Sequence, residues 1–439
     1  MTDGLRIRTE WLAADGIASA DLAATFCRLE IWVGDRCVTR VEDRSSGSVR
    51  DGIFCSAYPL AEWIATHWWS LRWHVRAAIH HGDPTAAWAW GEPRRIDQRH
   101  DARAAGDGFL WPELTIVPEG EQTLLAWSER RDASDPIRYV TSGVRYLETD
   151  DVSRTLASFI ESVIARLDAC RVTETVLADE WSAIQKSDAA ETAYCRAAAA
   201  LGLDPYDVEP RVSALLEELG RTLGDALTTE LAEAADVRLL SEDVRWIREA
   251  EQVLGESRPR ASGVLTEFRT AMSATRVGGL VPPYRAGWDQ ARLARKVLGA
   301  ERTSAIEIEK LVGIHGRPSL DPAVQGLAMS RADALNVVVG SRGGGKPSSR
   351  FLAGRALWRA LIAAPDHAFL LTNATTWSHR VERAFSAELL APAEGIRDQI
   401  GDARVVDAQT VDELARHFGV AGTLIRHQLD NQLQTTVVD

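Results

Sequence analysis

Residues 334–364 decide how the carboxy-terminal part of this chain is interpreted, and they read ALNVVVGSRGGGKPSSRFLAGRALWRALIAA. The run 334–340 is apolar and rich in valine, which predicts a buried strand. The run 341–349 is rich in glycine and serine, which predicts a loop. Apolar residues then recur at helical spacing, so we expect a helix over 350–364.

The loop partly matches a phosphate-binding motif, because Gly340–Lys346 fits the first seven positions of that motif. The next position of the motif carries a hydroxyl that ligates magnesium. Pro347 stands there instead, and it also lacks the N–H that would face a phosphate. Ser348 and Ser349 come one and two positions too late. The sequence therefore favours a plain connecting loop, with nucleotide binding through Gly340–Lys346 as an alternative.

The elements that follow complete an α+β domain over residues 301–439. Residues 368–372 (AFLLT) predict a short strand, and residues 378–392 (SHRVERAFSAELLAP) predict a second helix. The tail at 410–433 predicts two helices joined by a turn at Gly419.

Three blocks of this domain stand in a recognisable order: RFLA at 350–353, FSAELLAP at 385–392 and LARHFGV at 414–420. In order and composition they resemble the ImmA/IrrE-type zinc metallopeptidase domain. The resemblance covers about a quarter of the chain, and the first 300 residues show no such likeness. It implies the α+β fold of that family for the last domain.

The same resemblance places the expected zinc chemistry on residues that cannot supply it. Such a peptidase needs two histidines four residues apart, a glutamate beside the first, and a third ligand on the second helix. In this chain those positions fall on Gly354, Trp358, Arg355 and His379. Glycine has no donor atom, tryptophan does not ligate metal, and arginine accepts no proton. We therefore predict a degenerate, metal-free domain with no catalytic residue, no metal ligand and no cofactor.

Cationic side chains surround the lost site. Residues 340–359 carry five of them and no acid, so an anionic ligand could bind there. Pairing with acids elsewhere in the chain, or a solvated face, is the alternative that we favour. The candidates for an anion or ligand site are Arg342, Lys346, Arg350, Arg355, Arg359 and His379.

The tail also fits a helix-turn-helix, whose second helix would face DNA bases. In the resembled family a tail of this kind packs on the peptidase fold, so the resemblance does not imply DNA contact. The DNA-contact candidates on the second helix are Arg426, His427, Gln428 and Asn431.

The remaining 300 residues divide by composition. Ten of the 15 tryptophans lie within residues 1–127, and strand-like runs flank a helical run at 58–81. We predict a tryptophan-rich α+β domain over 1–150, with the tryptophans as bulky core residues rather than a ligand cage. Residues 151–300 are predicted to be mainly helical, and the Pro/Gly-rich run 277–288 marks the next boundary.

Charge and cysteine content exclude some classes of protein. The net charge of −13 argues against a protein that coats nucleic acid by charge alone. Five cysteines without a Cys-x-x-Cys pair fit reduced thiols, and no apolar run is long enough to span a membrane. We therefore expect a cytoplasmic protein that has no contact with membranes.

These observations lead to one main functional hypothesis and two alternatives. The main hypothesis is a non-catalytic pseudo-peptidase that acts as a sensor or regulatory scaffold and binds a protein partner. By analogy with active relatives, its role would be in stress response, mobile-element control or phage defence. The alternatives are a nucleotide-binding protein or hydrolase that uses Gly340–Lys346, and a DNA-binding regulator that uses 410–433.

Overall fold

The computed structural model divides the chain into two compact units, Met1–Pro210 and Arg211–Asp439. Helices and strands are mixed in both, so the predicted α+β class is confirmed. The predicted middle region 151–300 is shared between the units, because its first helices pack into the core of the first unit. The structure describes residues 4–75, 98–129, 135–257, 264–273, 281–318, 323–341, 345–363 and 365–438.

The described residues of the first unit form three small antiparallel sheets. In the first sheet β2 lies beside β1 and also pairs with β3 and β6; the other two have the orders β10-β8-β7 and β5-β4-β9. The strands are β1 (Leu5–Trp11), β2 (Phe26–Val33), β3 (Arg36–Cys37), β4 (Arg40–Asp43), β5 (Ser48–Asp51), β6 (Ile53–Ser56), β7 (Glu113–Glu119), β8 (Gln122–Ser128), β9 (Ile137–Tyr139) and β10 (Gly143–Glu148).

Helices cover these sheets and close the core of the first unit. The helix predicted at 58–81 is two shorter helices that break at His67, and its residues from 76 onward lie outside the described part. The helices are α1 (Ala20–Ala24), α2 (Tyr58–Thr66), α3 (Trp68–Trp73), α4 (Thr149–Ala169), α5 (Val176–Lys186) and α6 (Ala189–Ala200).

Tryptophans fill much of this core, as the sequence predicted. Trp111 is only 1% exposed, and its indole N–H donates to the carbonyl of Gly106 at 2.9 Å. Trp68 meets Trp181 edge-on, with ring centres 4.9 Å apart. Large apolar rings with a satisfied N–H are well suited to a dry core. Trp88 and Trp90 lie outside the described residues.

The second unit is built on a mixed sheet with the order β11-β13-β12-β14. β11 runs parallel to β13, whereas β12 is antiparallel to both β13 and β14. A separate parallel pair joins β15 and β16. The strands are β11 (Gly313–Pro318), β12 (Val324–Ser330), β13 (Leu335–Ser341), β14 (His367–Thr372), β15 (Val405–Asp407) and β16 (Thr436–Val438).

The helices of the second unit form a core with this sheet. Within the described residues, no helix combines the length and the apolar character that crossing a membrane requires. The helices are α7 (Pro210–Ala232, kinked at Gly224), α8 (Leu240–Glu256), α9 (Val264–Ser273), α10 (Pro283–Val297), α11 (Gly345–Ile362), α12 (Trp377–Leu390), α13 (Ala393–Ile400), α14 (Ala408–Phe418) and α15 (Gly422–Gln428).

One predicted boundary in this unit is wrong. The loop expected over 341–349 ends early, because α11 begins at Gly345 rather than at residue 350. Gly345 has a φ of 63°, which glycine adopts without strain. Pro347 falls in the first turn of the helix, where a missing N–H costs no intrahelical hydrogen bond.

Candidate functional site

The amino-terminal end of α11 lies next to an acidic residue. Lys346 is exposed, with its Nζ 3.7 Å from Oε1 of Glu309. The buried Arg350 donates from Nη1 to both oxygens of Glu309 at 2.8 Å, and from Nη2 to the carbonyl of Ile306 at 2.6 Å. These two anion candidates therefore face an internal carboxylate, whereas Arg342 lies outside the described residues.

The residues at the positions of the two expected histidines pack α11 against neighbouring helices. A Cβ atom on Gly354 would lie 2.3 Å from Oγ of Ser386 on α12, and that hydroxyl donates to the carbonyl of Phe351 at 2.7 Å. Any larger side chain at 354 would have to displace Ser386. Trp358 is buried, and its indole N–H donates to Oε1 of Gln290 on α10 at 2.6 Å.

The position of the expected catalytic glutamate holds a buried cation. Arg355 is 1% exposed and forms an ion pair with Glu382, which is also 1% exposed. Its Nε lies 2.9 Å from Oε1 of Glu382, and its Nη2 donates to that oxygen and to the carbonyl of Thr372, the latter at 2.7 Å. Its Nη1 donates to the amide oxygen of Gln325. All three guanidinium nitrogens therefore have partners inside the protein.

Arg359 extends this network towards α7. Its Nη2 pairs with Glu230, and its Nη1 donates to the carbonyl of Leu370 at 2.9 Å. The guanidinium carbon lies 4.8 Å from the ring centre of Phe369, within the range of a cation–π contact. Burial by itself would lower the pKa of Arg359, but the charges of Glu230 and Glu382 raise it above its ordinary value. Arg359 therefore stays charged.

His379 is buried between two threonine hydroxyls. Its Nδ1 lies 2.6 Å from Oγ1 of Thr376, and its Nε2 lies 3.2 Å from Oγ1 of Thr372. The pKa of His379 is well below its ordinary value, first because of burial and then because of the neighbouring cations Arg359, Arg355 and Arg383. The imidazole is therefore neutral near pH 7.

Arg383 lies beside Arg355 and Glu382, and no sequence pattern distinguishes it. Its Nη2 donates to the carbonyl of Ala374 at 2.6 Å and to that of Thr372 at 3.3 Å. The surrounding run 378–392 looked like an ordinary helix. Only the contact between α12 and the end of β14 brings Arg383 next to Arg355.

The three expected zinc-ligand positions have different neighbours. Gly354 contacts Ser386, which lies seven residues beyond His379 and therefore about 10 Å along α12. Trp358 faces α10 instead. Among the residues that the structure describes, no group of three or more His, Cys, Asp or Glu side chains is placed to hold a metal ion.

The tail folds as the predicted pair of helices, with Gly419 in the left-handed conformation between them. Gln428 is buried, and its amide nitrogen donates to Glu388 at 3.0 Å and to the carbonyl of Ala391 at 2.8 Å. This places Gln428 in the interior of the fold and not among base-contacting side chains. The other DNA-contact candidates are more accessible: Arg426 is half-buried, while His427 and Asn431 are exposed.

The carboxylate of Glu388 accounts for the buried position of Gln428 in the tail. This carboxylate is fully buried and accepts hydrogen bonds from Gln428, from Gln432 at 2.7 Å and from Arg292 at 3.2 Å. A buried carboxylate needs such donors, so the glutamines serve the packing of the tail.

The comparisons with known proteins add no relative: no protein-family model and no curated protein matches this chain.

Proposed function

We propose that the protein is a non-catalytic regulatory scaffold whose carboxy-terminal part is a pseudo-peptidase of the ImmA/IrrE type. The observation that carries the proposal is the Arg355–Glu382 ion pair, which takes the place expected for the general base. An arginine inside a carboxylate pair neither activates water nor ligates zinc. The packing of Gly354 against Ser386 also supports the proposal, because it leaves no room for a histidine.

The scaffold would bind a protein partner in the cytoplasm and report a cellular signal. Its setting would be stress response, mobile-element control or phage defence, by analogy with the active family that it resembles. A fold retained after loss of its chemistry can still recognise other molecules through its shape and charge.

Metal content tests the non-catalytic part of this proposal. After purification from zinc-supplemented medium, elemental analysis should find far less than one zinc per chain, and a chelator should leave the melting temperature unchanged. One zinc per chain, or chelator-sensitive cleavage of an unstructured polypeptide such as casein, would overturn the proposal.

Partner capture tests the scaffold part. A tagged chain, crosslinked in its native host, should enrich a defined protein over an unrelated tagged control of similar charge. Recovery of the chain alone, in repeated captures under growth and stress, would contradict a scaffold role.

Nucleotide binding is a second candidate, favoured by the observed order of β13, a short connection and α11, with Lys346 exposed. ATP or GTP should then raise the melting temperature, and Lys346→Ala should abolish the shift. Lys310→Ala, which removes another exposed lysine, should leave the shift unchanged. An equal loss of the shift in Lys310→Ala would indicate a general charge effect instead.

DNA binding through 410–433 is a third candidate, because His427 on the second helix of the tail and Asn431 just after that helix remain exposed. Salt-dependent binding to a defined duplex, lost in Arg426→Ala with Asn431→Ala, would favour it. Loss on changing Gln428 would carry less weight, since that residue supports the fold.

A further inference from the structure

Two cysteines of the first unit lie directly opposite each other in a sheet. Cys27 on β2 pairs in register with Cys55 on β6, and the two strands are antiparallel. Side chains of directly opposed residues point to the same face of such a sheet. Here that face is the core, since Cys27 is 0% exposed and Cys55 is 1% exposed. The two side chains therefore lie next to each other in the interior, and both are free thiols.

The spacing of such a pair suits a disulfide. Opposed residues of antiparallel strands have Cα atoms about 4.5–5.5 Å apart, and a disulfide spans about 4.4–6.8 Å between Cα atoms. Their Cβ atoms lie about 4.5–5.5 Å apart, so the strands would have to approach each other by about 1 Å to form the bond. Among the described strands β6 pairs only with β2, so it is an edge strand that can make this small shift.

The pKa of Cys55 agrees with this close approach. Burial raises the pKa well above its ordinary value, and the neighbouring Cys27 thiol raises it further. Both cysteines are therefore within reach of each other's thiol group.

The other three cysteines have no cysteine opposite them. Cys37 on β3 pairs in register with Trp32. Cys170 is exposed at the end of α4, and Cys195 lies on the buried side of α6. The pairing of Cys27 with Cys55 is therefore specific, and the remaining cysteines provide matched controls.

We propose that Cys27 and Cys55 are a redox-sensitive switch, in which a hydroperoxide such as hydrogen peroxide joins them in a disulfide. The bond would tie β6 to β2. A single residue, Ala57, separates β6 from α2, and α2 packs into the tryptophan-rich core. Oxidation therefore fixes the β6–α2 segment of the first unit. This inference rests on the proposed function only for its biological meaning, since the oxidation state would be a signal that the scaffold reports.

The reaction balances with one molecule of peroxide. One thiol loses its proton and attacks a peroxide oxygen; the O–O bond breaks, the sulfur becomes a sulfenic acid, and the departing hydroxide takes up the proton. The second thiol then loses its proton and attacks that sulfur. The S–S bond forms, the S–O bond breaks, and the second hydroxide takes up the second proton. The two thiols lose two electrons in total, and the peroxide becomes two water molecules.

Burial sets the threshold of this switch. The thiolate is the reactive form of cysteine, and a raised pKa together with burial makes the thiolate of Cys55 scarce and shielded. The reaction therefore needs a local opening of the edge strand β6. The same shielding then protects the disulfide from reductants. We expect slow oxidation that persists, rather than a rapid response to brief exposure.

Mass spectrometry on the full chain tests the bond. Cys170→Ser removes the exposed thiol, which would otherwise react first. After incubation of this variant with hydrogen peroxide and alkylation of the remaining thiols, a digest should contain Cys27 joined to Cys55, and dithiothreitol should separate them. A second incubation, in urea just below the unfolding transition, allows β6 to open. Absence of the linked peptide from both incubations, or an equal yield of links to Cys37 or Cys195, would overturn the proposal.

Thermal melting and hydrogen exchange test the consequence of the bond. Oxidation should raise the melting temperature and slow exchange across β6 and α2, because a crosslink restricts the unfolded chain. Cys55→Ser should abolish both effects, whereas Cys37→Ser, at a buried position opposite Trp32, should retain them. An oxidised chain that melts no higher than the reduced chain would contradict a switch that fixes this segment.

The outcome does not depend on how the variants fold, because the linked peptide is sought in a chain that keeps both Cys27 and Cys55. None of these measurements involves zinc or a partner protein. Failure of the switch is therefore distinguishable from failure of the proposed function.

Discussion

The cores of the two units are stabilised by different interactions. Among the described residues of the first unit, the largest fully buried side chain is Trp111, surrounded by apolar residues. Among those of the second unit it is Arg355, paired with Glu382. Apolar burial is non-directional and tolerates repacking. A buried ion pair is costly to desolvate and depends on the placement of each partner. Substitutions in the two cores should therefore destabilise the protein for different reasons.

The largest expected effect is that of Arg355→Ala, which leaves Glu382 buried without its partner. We expect a loss of about 3–5 kcal/mol in the free energy of unfolding, measured by urea denaturation. Replacing both partners, as in Arg355→Met with Glu382→Leu, should recover most of the lost free energy of unfolding. Arg302→Ala breaks an exposed pair with Asp398 and should cost no more than about 1 kcal/mol. A double variant as unstable as the single one would contradict this account.

Trp111→Ala is expected to cost a similar amount in the first unit, about 3–5 kcal/mol, because it leaves a cavity. Because Trp111 is not part of an ion pair, no second substitution that removes a charge should restore the lost stability. Hydrogen exchange followed by mass spectrometry should place the loss within Met1–Pro210. Trp32→Ala, at a half-buried position, should cost less; an equal cost would argue against cavity formation as the cause.

Gly354→Ala tests the close packing of α11 on α12. The added Cβ would push the Ser386 hydroxyl away from the carbonyl of Phe351, at a cost of about 1–3 kcal/mol. Gly354→Ala with Ser386→Ala should be less unstable than the single variant. Gly220→Ala is the matched control, because a Cβ atom there meets nothing within 4 Å; it should be neutral or stabilising.

The smallest expected effect concerns pH. The pKa of His379 is lowered by folding, so below its ordinary value of 6.5 the unfolded chain takes up a proton that the folded chain does not. The free energy of unfolding should therefore fall as the pH drops below 6.5, by at most about 1.4 kcal/mol per unit. His379→Gln should flatten this slope, whereas exposed His427→Gln should leave it unchanged. The same slope in both variants would rule out His379 as the source.

Periodicity was a good guide to the elements of the second unit. The apolar run before Gly340 forms β13, and the run 378–392 contains α12. The start of α11 differs from the prediction, because proline and glycine are typical of loops but also suit a first helical turn. Local sequence patterns predict the type of a secondary-structure element more reliably than the residue at which it begins.

The candidate site was predicted less completely. Sequence spacing identified the cations of α11, but their partners come from distant segments: Glu309 precedes the sheet, and Glu230 lies on α7. Arg383 was missed because nothing in its own helix separates it from a solvent-facing arginine. Gln428 was expected to face solvent, but its side chain is buried and donates a hydrogen bond to Glu388.

The sequence alone determined the α+β class, the tryptophan-filled core and the absence of zinc-ligating residue types at 354, 355 and 358, because these follow from residue identity and local periodicity. Only the tertiary structure decided which charges meet. Ion pairs depend on distances between segments far apart in the chain, so it took the packing of α7, α11, α12 and β14 to show that Arg355 and Arg359 have carboxylate partners and that Arg383 is left with main-chain carbonyls alone among the described residues.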